Sequence, residues 1–244
     1  MKNEILEIQE KTKIIVNKTN EISNYPKSWI NIYFKSYPRF KRIFLPKPKR
    51  KKGNGIYDVI RYRESIREFN KEKILLKELS EILFYSAGIL NDASDLNKSR
   101  RGYPSAGARY PIELYLVIKN CETISPGLYH YNVIEHSLEL MLPGEQNKRL
   151  NEFVYQEMLE DAQIIFILTA NFKRTAIKYG TRAYRYVLLD TGHMAQNIYL
   201  TSGNLSVGCC TIGGFSDNKV NRFLDLDENE QTLYMGVLGK YDKF

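Results

Sequence analysis

The chain has 244 residues, 43% hydrophobic and 12% aromatic, with a formal net charge of +8. That length and apolar content suffice for a sizeable core in one large or two small domains, and they exclude a wholly disordered chain. The longest apolar run, Ile164 to Ala170, is far too short to span a bilayer, and the N-terminus has no apolar core ending in small residues, so the reading is a cytoplasmic protein without signal peptide or membrane helix.

The positive charge is unevenly spread. Residues 1–55 hold fourteen Lys/Arg against four Asp/Glu, and the remainder holds 22 against 24. Residues 2–18 have helical spacing (Ile5, Ile8, Ile14, Ile15), and Pro26, Pro38, Pro46 and Pro48 make residues 26–55 extended or looped. The division expected is therefore a basic N-terminal arm over 1–55 and one domain over 56–244. A basic arm suits an acidic peptide, nucleic acid or a membrane surface, or is simply a solvated lead-in. A nucleic-acid-binding module would need the basic surface to continue into the body, which is slightly acidic.

Within the body, the spacing predicts a helix over 56–62 and another over 76–85, where Leu76, Leu79, Ile82 and Leu83 form one stripe. A strand follows at 113–120, then a hairpin over 127–141 with its turn near Ile134 to His136. Residues 145–160 look helical, 162–171 a buried central strand, and 175–202 one long helix stopped by Gly203 and Asn204. A short strand over 207–212 runs into a glycine turn, and a brief helix near 217–224 precedes a final strand over 232–240. Strands and helices alternate without a βαβ rhythm, which favours an α+β mixed sheet over a doubly wound one. Cys121, Cys209 and Cys210 show neither disulfide nor metal spacing and read as buried thiols, and three histidines without HExxH give a metal site little support.

Several short stretches could carry chemistry. In "RYRESIREF", Arg63, Ser65 and Arg67 lie two apart, so an extended backbone sends them to one side, where two guanidiniums and a hydroxyl suit a phosphate. "PSAGARYP" (104–111) is a loop of small residues that lets backbone N–H groups approach a flat or anionic ligand, and "TIGGF" (211–215) offers a second such place. "RTAIKYGTRAYRY" (174–186) interleaves cations and aromatics, which suits single-stranded nucleic acid, a wet helix face or a proton-moving active site. Singly, each is equally an ordinary turn or a solvated face.

Their order along the chain, with "LDTGHMAQNIYL" between them, resembles the nitroreductase-like FMN enzymes. More narrowly, "KSYPRFKRIFLPKP", "PSAGARYPIELYLV", "GLYHYN", "AIKYGTRAYRYVLLDTGHMAQNIYL" and "IGGF" resemble the SagB/McbC-type azoline dehydrogenases of thiazole/oxazole-modified peptide pathways. The resemblance runs from about residue 35 to 240. It implies an α+β flavoprotein, an intertwined homodimer with FMN at each subunit interface, working beside a cyclodehydratase on a modified peptide. It also implies that Arg63, Ser65 and Arg67 hold the phosphate, that Pro104, Ser105, Ala106 and Gly107 reach the flavin from the other subunit, and that Gly213 and Gly214 face the ring. Lys240 is a looser match to a C-terminal basic residue near the phosphate. Lys178 and Tyr179 match the catalytic pair that takes the ring proton as hydride leaves for FMN. An NAD(P)H-dependent nitroreductase or quinone reductase is the competing reading on the same fold. Arg182, Arg185 and Tyr186 are expected to pair with Asp190 or line the groove, and His193 to be a hydrogen-bonded core residue.

Overall fold

The computed structural model describes residues 2–13, 26–48, 55–91 and 94–242. The chain enters through α1 (Lys2–Lys11), the one-turn α2 (Lys27–Ile30), β1 (Arg42–Phe44), α3 (Ile56–Tyr62) and α4 (Leu76–Ala87). It continues through β2 (Ile112–Ile118), β3 (Gly127–Asn132), β4 (Ser137–Pro143), α5 (Asn147–Asn151), β5 (Ile164–Asn171), α6 (Phe172–Tyr179) and α7 (Ala183–Asn204). It ends with β6 (Gly208–Ile212), α8 (Asp217–Phe223) and β7 (Glu230–Gly239). The seven strands form one sheet in the order β1-β4-β3-β2-β5-β7-β6, each neighbouring pair antiparallel. This is the α+β arrangement expected.

Alternation along the central strands builds a core on each face of the sheet. From β2 and β5, Leu114, Leu116, Phe166 and Leu168 join Leu79, Ile82 and Leu83 of α4 and Val187, Met194 and Ile198 of α7. Their neighbours Tyr115, Val117, Ile165 and Ile167 face the other way, onto Leu150, Phe153, Leu159 and Phe223. Both central strands are thus buried on two sides, which is why "IIFILTA" reads as unbroken apolar sequence. All three cysteines are buried free thiols, and desolvation pushes Cys121 up to about 12.

The described part of the expected N-terminal arm packs onto this domain. β1 pairs with β4, Lys35 Nζ lies 2.6 Å from the buried Glu230 Oε2, and the Ile32 amide donates to Asn97 Oδ1 at 2.8 Å. Residues 14–18 of the expected first helix lie outside the described residues; α1 itself stops at Lys11.

Two helix expectations need correction. Residues 145–160 yield only the five-residue α5 and a 3₁₀ turn at Glu157–Leu159, because Gln156 adopts an extended backbone (φ −142, ψ 117) that swings Leu159 into the core. The long helix expected over 175–202 is two helices. Gly180, at φ 54 and ψ −139, ends α6, a conformation that side-chain-bearing residues avoid. The chain then turns through Gly180–Arg182 and starts α7, about 33 Å of helix at 1.5 Å per residue.

Candidate functional site

The first half of the site lies along β6. After α3 the backbone extends from Arg63, and the Ile66 amide donates to Cys209 O at 3.0 Å, laying residues 63–67 beside β6. Gly208 must be glycine here, since a Cβ would sit 2.7 Å from Ile66 Cγ2. Over this segment opens a cavity of about 1120 Å³ whose wall includes Arg63, Ser65 and Arg67. Asp58, Glu64, Glu68 and Asp242 line it too, so the wall is mixed in sign. The Arg63 guanidinium stacks 5.5 Å from the Tyr199 ring centroid, and Arg67 donates to Ser65 O at 3.2 Å.

Tyr199 of α7 is a residue that motif reading missed. Its hydroxyl lies 3.0 Å from Ser65 Oγ, accepts the Thr211 amide at 2.9 Å and lies 3.3 Å from Thr211 Oγ1, which in turn accepts from Tyr234. It therefore ties the arginine segment to the strand leading into Gly213 and Gly214, both exposed just past β6. From Gly208 to Gly213 the strand rise is about 17 Å, so the arginines and the glycine turn flank the two ends of one edge strand. Lys240 does not line this cavity: its ammonium lies 2.7 Å from Glu78 Oε1, on the carboxylate whose other oxygen caps the start of α4.

The second half surrounds the loop at 104–108. Ser105 does not offer its hydroxyl outward. It donates to Asp190 Oδ2 at 2.5 Å while accepting the Tyr110 amide at 2.9 Å, and Asp190 also accepts from the Ala106 backbone. Asp190 thus holds the loop from α7, and burial raises its carboxyl to about 6. Pro104 and Gly107 are exposed and Ala106 half-buried at the loop's outer surface. Gly107 is left-handed (φ 59), and a Cβ there would come 2.6 Å from Tyr179 Oη and 3.2 Å from Lys178 Nζ. The loop and the Lys178–Tyr179 pair, remote in sequence, therefore lie against each other. The pair ends α6, just before the Gly180 break, so the two side chains converge on one loop although helical neighbours diverge by about 100°.

A buried ion network anchors this corner from behind. Arg174 on α6 places NH2 2.6 Å from Glu113 Oε1 and donates to Tyr110 O at 3.2 Å. His130 bridges Glu113 and Glu139 at 3.2 and 2.9 Å. Against the cost of burial, Arg174 and His130 hold the Glu113 carboxyl down at about 2.

Among the other members of "RTAIKYGTRAYRY", Arg182 and Arg185 do not pair with Asp190: Arg182 donates to Thr12 O at 3.1 Å, and Arg185 to Thr12 Oγ1 and Gln9 O at 2.7 and 2.5 Å. They collect the carbonyl end of α1, where the helix dipole favours cations. Tyr186 packs edge-on against Tyr179 at 5.0 Å. His193, expected in the core, is exposed; the buried histidines are His130 and His136.

Asp190 and Tyr199 are nine residues apart on α7, about 13 Å of rise and half a turn of azimuth. Within one chain the two halves of the site thus leave opposite faces of α7. No helix among the described residues is long and apolar enough to cross a membrane, and they contain no cluster of three metal-ligating side chains.

An arginine pair over a large cavity, a glycine turn at the far end of the same strand and a Lys–Tyr pair against a left-handed glycine loop, all on an α+β sheet, suit an oxidoreductase scaffold. The nitroreductase family model matches residues 60–240, and the chain belongs to that family. It is 35% identical to the nitroreductase-type protein MJ1384 of Methanocaldococcus jannaschii over 70% of this chain and 84% of that one. It is 27% identical to the microcin B17-processing protein McbC of Escherichia coli, over 65% of this chain and 59% of McbC, so the match spans less than two thirds of that relative. Among solved structures, a nitroreductase-type protein of Ralstonia eutropha superposes with a TM-score of 0.71 at 25% identity, covering 83% of this chain and 90% of the other. A chain of the E. coli microcin synthetase McbBCD complex, with truncated pro-MccB17 bound, gives 0.62 at 22% identity over 97% and 87%, which is a likeness of fold. The SagB/McbC-type branch expected from the sequence motifs is supported by the match to McbC.

Proposed function

We propose that the protein is an FMN-dependent dehydrogenase that oxidises thiazoline or oxazoline rings in a peptide to thiazole or oxazole. The observation that carries this is the contact between Gly107 and the Lys178–Tyr179 pair, which puts proton-handling groups on a loop built for close backbone approach. The residues present fit the cofactor. Arg63 and Arg67 supply planar forks for a phosphate tail, Ser65 adds a hydroxyl, and the side-chain-free turn at Gly213 and Gly214 leaves backbone open to a flat ring. When bound, FMN supplies the hydride acceptor.

The chain's own task is to orient the ring and remove a proton from carbon. Desolvation pushes the Tyr179 phenol up, and Lys178 Nζ lies beside its ring, so the two side chains together are the groups that handle the proton lost from carbon. Asp190 and Ser105 keep the loop in place, and Arg174 fixes α6 to the sheet.

Because the two half-sites leave opposite faces of α7, the loop at 104–107 serves a flavin held by the arginines of a second copy, in a homodimer. Exposed Ile56, Tyr57 and Ile60 on α3 and Leu188 and Leu189 on α7 supply apolar surface for that assembly. The similarity to McbC, a microcin-processing protein, supports work on a modified peptide, and the motif resemblance adds a cyclodehydratase as its partner. The MJ1384 similarity favours a second reading, NAD(P)H-dependent reduction of nitro compounds or quinones, in which no base is required.

Purified protein should be yellow or become so with FMN, and Arg63→Ala with Arg67→Ala should weaken flavin retention. Lys178→Ala and Tyr179→Phe should keep the flavin and lose azoline oxidation. Absence of any flavin binding overturns the whole reading. Full azoline oxidation by both pair variants, or loss of NAD(P)H-driven reduction alone, selects against the dehydrogenase.

A further inference from the structure

The family match begins at residue 60, yet residues well before it reach the Lys178–Tyr179 corner. Arg109, fully buried, spends its guanidinium on three backbone carbonyls: NH1 to Trp29 O at 2.8 Å, NH2 to Asn31 O at 2.6 Å and Nε to Arg174 O at 3.1 Å. One side chain therefore locks α2 to the start of α6. It also follows directly on the 104–108 loop in sequence, so loop, α2 and α6 share one pin. The turn of α2 is closed by the Trp29 amide on Pro26 O at 2.8 Å.

The consequence is that the Trp29 ring centroid lies 6.0 Å from Lys178 Nζ, while the Tyr179 ring centroid lies 5.6 Å from the same atom. Aromatic faces attract an ammonium at these separations, Trp most strongly. The long lysine side chain, which carries substantial rotamer freedom, is thereby confined between two rings and the Gly107 backbone.

We propose that Trp29 is a positioning residue of the active site, holding Lys178 Nζ at the 104–108 loop, and that the segment ahead of the family's matched region belongs to the catalytic apparatus. It acts through Lys178 and touches no reacting atom in this role. The proposal rests on the assignment of Lys178 above, and the test separates the two.

Trp29 is the chain's single tryptophan, so its emission reports on this corner alone. In flavin-free protein, Lys178→Met should change Trp29 emission intensity by removing a quenching ammonium, whereas Lys148→Met on the exposed face of α5 should not. Equal emission in wild type and Lys178→Met overturns the proposal, whatever reaction the enzyme performs. In the flavin-loaded enzyme, Trp29→Leu should lower kcat on an azoline peptide about tenfold, with KM and flavin retention little changed. Trp29→Phe, which keeps a π face, should recover to within about threefold of wild type. Unchanged kcat in Trp29→Leu, or a loss that Phe does not rescue, refutes positioning by the ring. A wild type inert on azolines defeats the proposed reaction, yet leaves the emission result to decide the geometry.

Discussion

Gly107→Ala probes the contact on which the site depends. At φ 59 an L-residue pays a backbone cost of roughly 1–2 kcal/mol. The new methyl would also lie 2.6 Å from Tyr179 Oη, so the hydroxyl must retreat by about 0.8 Å to reach the 3.4 Å of ordinary contact. Crowding of this kind costs about 1–3 kcal/mol, giving roughly 2–5 kcal/mol together. For a chain of this size that is a fall in Tm of roughly 4–20 °C. The pair's displacement should cut kcat roughly 10- to 100-fold, since misplacement by about an ångström at a reacting centre has that effect. Gly144→Ala is the matched control, with φ 83 and nothing within 4 Å of the added atom: it carries the backbone cost alone and should leave kcat unchanged. Combining Gly107→Ala with Tyr179→Phe removes the hydroxyl that is struck, and the stability loss should shrink toward that of the control. Differential scanning calorimetry and steady-state kinetics read both effects. Wild-type kcat in Gly107→Ala, or a stability loss undiminished when Tyr179→Phe is added, refutes the contact.

Three further outcomes follow from the same geometry. Tyr199→Phe strands the Thr211 amide and frees Ser65, so stability should fall by about 1–3 kcal/mol in urea unfolding; a change within error shows that water replaces the hydroxyl. Arg174→Met leaves the buried Glu113 carboxylate with His130 as its ion-pair partner and only the more distant charge of Arg101, and should cost about 3–5 kcal/mol, most of it recovered by adding Glu113→Gln; no recovery argues that Arg174 acts through packing rather than charge. Burial raises Asp190 to about 6 from a free value of 3.8, so folding favours its protonated form. Its contribution is full below pH 3.8 and lost as pH rises through 6. The stability of wild type relative to Asp190→Asn should therefore decline between those values and level off above them, and a constant difference across that range refutes the assignment.

Periodicity made the α4 stripe, the β3–β4 hairpin and the buried β5 strand legible, because each is a local pattern whose burial follows from its own spacing. Arg63, Ser65, Arg67 and the 104–107 loop stand out in the sequence as short motifs with a mechanism, and Lys178 and Tyr179 through family resemblance; the roles proposed for them rest on the experiments above. The break at Gly180 was hidden because a lone glycine in an apolar-periodic run is tolerated in helices, and only the required φ of 54 disqualifies the helix there. The roles of Arg182 and Arg185 were hidden for another reason: their acceptors are carbonyls of residues 9–12, and backbone acceptors leave no trace in composition. Lys240, a charge near the expected place, is drawn instead to Glu78, more than a hundred residues away in sequence.

Sequence by itself thus determined which segments bury apolar surface and which side chains can bind an anion or move a proton, since both are properties of residue type and spacing. Tertiary structure alone decided that Gly107 meets Tyr179, that Asp190 holds the loop, and that Trp29 from the N-terminal segment faces Lys178. Those relations depend on the relative placement of α2, α6 and α7, which is set by long-range packing and by carbonyls gathered on Arg109, and no local pattern encodes it.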